Sequence, residues 1–236
     1  ADALSREKGI HEMKSTFVSM ASHELRTPLS TIRSSAELVE RYALPEDKDK
    51  REKHLERIQS SVDQLVHLLD DFLSIGALEG GALRVETAHF DLYQLLHESS
   101  VGLDGMKKRG QEIRIACSGP VEVMLDRKIL RNILLNLLSN AIKYSDKPID
   151  LEAEVDDDVL RLTITDRGIG IPEAQQKDLF GRFFRASNAT DIQGTGLGLH
   201  IVKHYVDLLG GTIACTSAEG RGTTFTLVFP QHGPIA

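Results

Sequence analysis

The sequence predicts two modules in series: an α-helical hairpin that pairs with a second copy into a four-helix bundle, followed by an α/β sandwich. Three observations carry this reading. Apolar residues keep helical spacing on both sides of a short polar turn at residues 43–49. Gly76, Gly80 and Gly81 then punctuate the chain. From Leu83 onward short apolar-alternating runs alternate with helical ones, the pattern of strands laid beside helices. A chain of 236 residues is long enough for two modest cores. The boundaries drawn are residues 1–12 for a linker helix from an upstream signalling module, 13–80 for the hairpin and 81–236 for the sandwich.

The first helix is expected over residues 5–42, with Met13, Phe17, Met20, Ala21, Leu25, Ile32, Ala36 and Val39 on its apolar side and a kink at Pro28. After the turn, Leu55, Ile58, Val62, Leu65, Leu69 and Phe72 alternate steps of three and four, a heptad seam. Such a hairpin buries only a narrow stripe by itself, so a homodimer is expected. In the second module strands are expected at residues 83–86, 112–117, 121–125, 149–155, 159–166, 211–216 and 223–229. Helices are expected at 92–106, 127–144 and 197–209. The stretch from Gly168 to Gly194 is too long for a mere connector and is read as a functional loop.

Composition narrows the function. A net charge of −7 with no basic cluster argues against nucleic acid and anionic lipid as partners. No run approaches the ~20 apolar residues of a membrane span and no signal peptide opens the chain, so the segment is expected in the cytoplasm without membrane contact, cut from a longer protein. Cys117 and Cys215 show no metal-binding spacing and are expected as buried, reduced core residues.

At about 100° per residue, His23 falls roughly 150° from the centre of the apolar arc of the first helix, so it points to solvent. Its imidazole is largely neutral at pH 7 and can attack phosphorus without a strong base. Thr27, four residues on, shares its face, whereas Glu24 needs a favourable rotamer to reach it. The run FVSMASHELRTPLSTI at residues 17–32 resembles the phosphoacceptor box of HisKA-type dimerisation and histidine phosphotransfer domains. The resemblance implies His23 as the phosphorylated residue, Glu24 as its acid/base partner and Thr27 as the residue that positions water in a phosphatase reaction. It implies that Pro28 is the bend between states.

The second module carries no GxxxxGK[ST] run, and GTGLG at 194–198 lacks the strand of a dinucleotide fold. What remains is a glycine-rich loop opening a helix, a geometry suited to phosphate. Asn136, Asn140, Lys143 and Tyr144 form a polar stripe on a helix otherwise rich in leucine and isoleucine, and a carboxamide oxygen suits a hard cation. Asp166 projects from the end of a strand. In order, the runs NLLSNAIKY at 136–144, DRGIG at 166–170, FGRFFR at 180–185 and GTGLGL at 194–199 resemble the N, G1, F and G2 boxes of the GHKL ATP-binding fold. GRGTTF at 220–225 resembles its closing segment.

That resemblance implies ATP and Mg²⁺ as cofactors, Asp166 on the adenine amino group, Asn140 on Mg²⁺, and Asn136 and Lys143 near the phosphates. Tyr144, Arg185, Thr195 and Leu197 belong to the same boxes and are counted as nucleotide-binding. Gly168, Gly170, Gly194, Gly196 and Gly198 would allow close backbone approach, with residues 168–194 as a lid. Gln193 stands where many relatives carry glycine, and Phe183-Phe184 replaces the commoner Phe-Tyr pair. Three readings compete: a histidine kinase, a clamp ATPase and a nucleotide-free scaffold. The ATPase relatives carry glutamate where Asn136 sits, and an amide cannot act as their general base. The kinase reading is therefore preferred, with a response-regulator receiver domain as partner.

Overall fold

The computed structural model describes residue 22 and residues 25–79, 84–156, 158–190, 192 and 194–231. The expected linker, the upstream part of the first helix, His23, Glu24 and Gln193 lie outside the described residues. The chain divides into two compact units, Ala1–Ser74 and Ile75–Ala236.

In the first unit, α1 (residues 25–41) is helical through Pro28, which is buried. A 3-10 turn at Pro45–Asp47 leads into α2 (Lys48–Glu79). The turn is pinned at its base: Arg51 donates to the Tyr42 carbonyl at 2.9 Å, Lys50 lies over the Tyr42 ring, and His54 stacks on it. The seam of α2 differs from the expected one. Leu55, Val62 and Leu69 are exposed, while His54, Ser61 and Leu68 are buried with Ile58 and Leu65 beside them. One step in register separates the two sets. The hairpin closes on the second, and the first remains as an open apolar stripe with Val66 and Leu73.

The second unit is an α/β sandwich. Its five-stranded sheet has the order β2-β4-β5-β7-β6, built from β2 (Ile113–Ser118), β4 (Ile149–Val155), β5 (Val159–Thr165), β6 (Thr212–Ala218) and β7 (Gly222–Pro230). Only the β2–β4 pair is parallel. A separate two-stranded ribbon joins β1 (Ala88–Asp91) to β3 (Glu122–Leu125). One face of the sheet is covered by α3 (Leu92–Val101), α4 (Arg127–Tyr144) and α5 (Gly198–Leu208). Leu130, Ile133, Leu134, Leu137 and Leu138 of α4 and Leu160, Leu162, Leu227 and Phe229 of the sheet are all buried in a core that excludes water.

Three expectations are corrected. Residues 84–86 are not a strand, and the first strand is instead Ala88–Asp91, held by β3 rather than by any alternation of its own. Helix α3 ends at Val101, because Gly102 caps it, and a 3-10 turn at Asp104–Met106 follows. Cys117 is exposed and Cys215 half-buried, since both lie on edge strands of the sheet.

Candidate functional site

Helix α4 is held at both ends, and this sets where its polar stripe points. At the N-terminus the buried Asp126 accepts the N–H groups of Lys128 and Ile129 at 2.9 and 3.0 Å, and that of Glu86 at 2.8 Å. At the C-terminus Lys108 donates to the carbonyls of Lys143 and Ser145, and Gln111 donates to the Ser145 carbonyl at 2.9 Å. Both residues went unnoticed in the sequence. They stand more than thirty positions away, and nothing local marks a side chain that will cap a distant helix.

From α4, Asn136, Asn140, Lys143 and Tyr144 are all half-buried on the side facing the glycine segments. A β-carbon on Gly198 would lie 2.7 Å from Asn136 Oδ1 and 3.9 Å from Asn140 Nδ2. One on Gly194 would lie 2.6 Å from Lys143 Nζ and 3.9 Å from the Tyr144 hydroxyl. The two asparagines therefore meet the first turn of α5, where Leu197 has no side-chain cap and is buried as a plug. Thr195 Oγ1 accepts the Leu197 N–H at 3.2 Å and shapes the turn before it. An uncapped helix N-terminus beside two carboxamides suits an anion, with carboxamide oxygens at its edge.

Asp166 directly follows β5 and is only 8% exposed. Its Oδ1 accepts the Gly168 N–H at 2.8 Å, and its own N–H donates to the Thr223 carbonyl at 2.9 Å. Burial pushes this carboxyl above its ordinary value near 3.8, against the pull of N–H groups at Gly168 and Thr223. Close backbone contact explains the glycines around it. A β-carbon on Gly168 would strike the Tyr144 carbonyl oxygen at 2.1 Å, and one on Gly222, at φ +106, the Asp166 carbonyl at 2.1 Å. Tyr144 thus joins α4 to this loop, its carbonyl also accepting the Ile169 N–H. Gly170, at φ +64, is pressed on the Ala218 carbonyl. Cys215 neighbours Asp166, and burial with that carboxylate raises its thiol to about 11.

Arg185 is turned into the loop that the sequence reads as a lid. Its guanidinium donates to the carbonyls of Ala189, Thr190 and Ile192, and its charge tempers the burial-raised phenol of Tyr144. Asn188 adds a link from the lid to the Asp166 loop through the Gly170 carbonyl at 3.0 Å. Among the described residues no cluster of three His, Cys, Asp or Glu side chains is built to hold a metal by itself. A cation here would rest on carboxamide and ligand oxygens.

This constellation defines an ATP-binding module of the kind shared by kinases and clamp ATPases. Family comparison agrees: residues 125–233 match the "Histidine kinase-, DNA gyrase B-, and HSP90-like ATPase" model and residues 13–81 the "His Kinase A (phospho-acceptor) domain" model. The chain is 32% identical over 239 residues to the circadian input-output histidine kinase CikA of Synechococcus elongatus, covering 98% of this chain and 32% of that protein. It is 31% identical to the sensor histidine kinase WalK of Bacillus subtilis, covering 97% and 38%. Full-length ShkA, solved in complex with AMPPNP, superposes with a TM-score of 0.64 at 27% identity over 93% of this chain and 46% of that one. The histidine kinase AdeS of Acinetobacter baumannii shares the fold at a TM-score of 0.66 and 24% identity, covering 89% of this chain and 98% of that one. The chain belongs to the sensor histidine kinases and is their catalytic core. It spans about a third of the length of these two curated relatives and less of others.

Proposed function

We propose that this chain transfers the γ-phosphoryl group of ATP to His23 and passes it on to an aspartate of a response-regulator receiver domain. The observation that carries the reading is the convergence of Asn136 and Asn140 on Gly198 at the uncapped start of α5. Asp166, a buried acceptor at the far end of the same site, suits an exocyclic amine and disfavours a carbonyl, so adenine is preferred over guanine. Lys143 and the α5 N-terminus neutralise the phosphates, and Arg185 holds the lid. Mg²⁺ fits a donor set of amide and phosphate oxygens, with Asn140 as its protein ligand; when bound it would neutralise charge on the β- and γ-phosphates.

In the transfer, an imidazole nitrogen of His23 forms the N–P bond as the bond from phosphorus to the bridging oxygen breaks. ADP leaves with that electron pair, and Glu24 takes up the imidazole proton. Positioning supplies most of the acceleration. With Asn136 in place of a general base, water is not activated and hydrolysis stays slow. Thr27, exposed on α1, supports a second activity, removal of phosphate from the regulator. No helix among the described residues is long and apolar enough to cross a membrane; use of ATP supports a cytoplasmic location for the segment.

The test is incubation with γ-labelled Mg-ATP. Label that is lost in acid, survives base and vanishes in His23→Ala supports the kinase; steady phosphate release without label points to the clamp ATPase.

A further inference from the structure

We infer that His200 is a positioning residue that seats the nucleotide lid on α5, an inference that rests on the ATP reading above. His200 lies in the first turn of α5, two residues beyond Gly198. Its Nδ1 is 3.0 Å from the Phe180 carbonyl oxygen, and its Nε2 is 3.0 Å from Arg182 Nε. Arginine can only donate, so Nε2 accepts and the ring proton sits on Nδ1, where it donates to Phe180. A single neutral tautomer satisfies both contacts. The ring of His204, one turn on, meets that of His200 edge to face at 4.8 Å and limits its rotation.

The two bonded residues flank Gly181, whose N–H is tied to the Asp178 carbonyl at 2.8 Å. The imidazole therefore holds a lid turn from both sides. Directly after it comes Phe183, the one residue other than glycine with positive φ among the described residues, at 61°. A residue with a β-carbon keeps that strained backbone only where its surroundings impose it. The imposed geometry has a consequence at Gly196, itself at φ +69: a β-carbon there would lie 2.6 Å from the Phe183 carbonyl carbon and 2.8 Å from the Phe184 oxygen. A closed circuit results. It runs from the phosphate-facing end of α5 through His200 to the lid turn, along Phe183 and Phe184 to Gly196, and back to Gly198. His200 fixes the spacing between the lid and the helix terminus that takes the phosphates.

The experiment measures autophosphorylation of the whole chain against Mg-ATP concentration in the wild type, His200→Ala, His200→Gln, Arg182→Ala and the His200→Ala/Arg182→Ala and His200→Gln/Arg182→Ala pairs. Losing both bonds should raise KM for ATP about fivefold or more, with kcat within about twofold. Glutamine places an acceptor near the position of Nε2, so His200→Gln should recover part of the loss. Arg182→Ala should weaken wild type and His200→Gln more than it weakens His200→Ala. An unchanged KM in His200→Ala, or an Arg182→Ala effect of equal size in its presence and absence, overturns the seat. Should His200→Ala not fold, Arg182→Ala at its exposed position and His200→Gln decide the matter, together with the nitrogen NMR shifts of His200. Those shifts must report a proton on Nδ1, and one on Nε2 overturns the proposal. A wild type that binds no ATP refutes the nucleotide reading itself, whereas ATP binding equal in wild type and variants refutes only the seat.

Discussion

The Asp166 carboxylate and the Gly168 backbone N–H meet at 2.8 Å in a position where burial works against the charge. Ligand recognition and stability are opposed at this residue. An acid whose folded-state value lies above its unfolded one binds its proton more readily in the fold, so stability falls as pH rises between the two values and stays reduced above them. Asp166→Asn removes that loss. In the absence of nucleotide the variant should melt at or above the wild-type temperature at pH 7, with the difference closing as pH falls towards the ordinary carboxylate value near 3.8. ATP should stabilise the wild type and not the variant. Thermal unfolding with and without ATP across pH checks both, and a variant less stable than wild type at pH 7 would show that the N–H bonds outweigh burial.

Gly198 and Gly168 are both crowded, but by different atoms. At Gly198 the obstacle is the Asn136 side-chain oxygen, which can swing aside; at Gly168 it is the Tyr144 backbone carbonyl, which cannot. Gly198→Ala should change stability by less than ~1 kcal/mol while displacing Asn136 and weakening ATP about tenfold. Gly168→Ala should cost about 2 kcal/mol or more of stability. Urea unfolding beside ATP titration separates the two, and equal effects on stability would remove the distinction.

Much of this architecture is legible in local pattern, and the gaps have physical causes. Helix α4 and strand β4 have the expected bounds because each carries its own periodicity, leucine and isoleucine every three or four residues in one and strict alternation in the other. Strand β1 has neither, since Ala88, His89, Phe90 and Asp91 are extended only through pairing with β3. The residues of the ordered glycine boxes are brought together around α4 and α5. Lys108, Gln111 and His200 escaped notice because their work is done across the fold. Arg185 illustrates the converse: a motif marks the residue, and only the folded chain shows its three carbonyl partners in the lid.

The two thiols should differ in reactivity. Cys117 is exposed, with its thiol raised by partial burial, whereas Cys215 is half-buried beside Asp166 and raised to about 11. Because the thiolate is the nucleophile, alkylation of the native protein near pH 8.5 should label Cys117 well ahead of Cys215. Asp166→Asn removes a carboxylate that disfavours the thiolate, so it should speed labelling at Cys215 alone. Mass spectrometry of time-resolved labelling reads both rates, and comparable rates in the native wild type would contradict the placement of Cys215.

The one-step difference in the α2 seam has a consequence for assembly. A helix in a four-helix bundle faces one neighbour from its own hairpin and others from a second copy, so it needs two apolar stripes, and sequence alone does not say which neighbour each serves. In α2 the hairpin uses His54, Ile58, Ser61, Leu65 and Leu68, which leaves Leu55, Val62, Val66, Leu69 and Leu73 exposed. Covering each of these is worth about 1.5 kcal/mol or more, so the open stripe strongly favours a second copy. Val62→Glu combined with Leu69→Glu places two charges on it without touching the hairpin seam. Light scattering should show the wild type as a dimer and the double variant as a monomer, with helical circular dichroism retained in both and ATP binding by the second unit unchanged. A dimer that survives the two charges would mean that the copies meet through another surface.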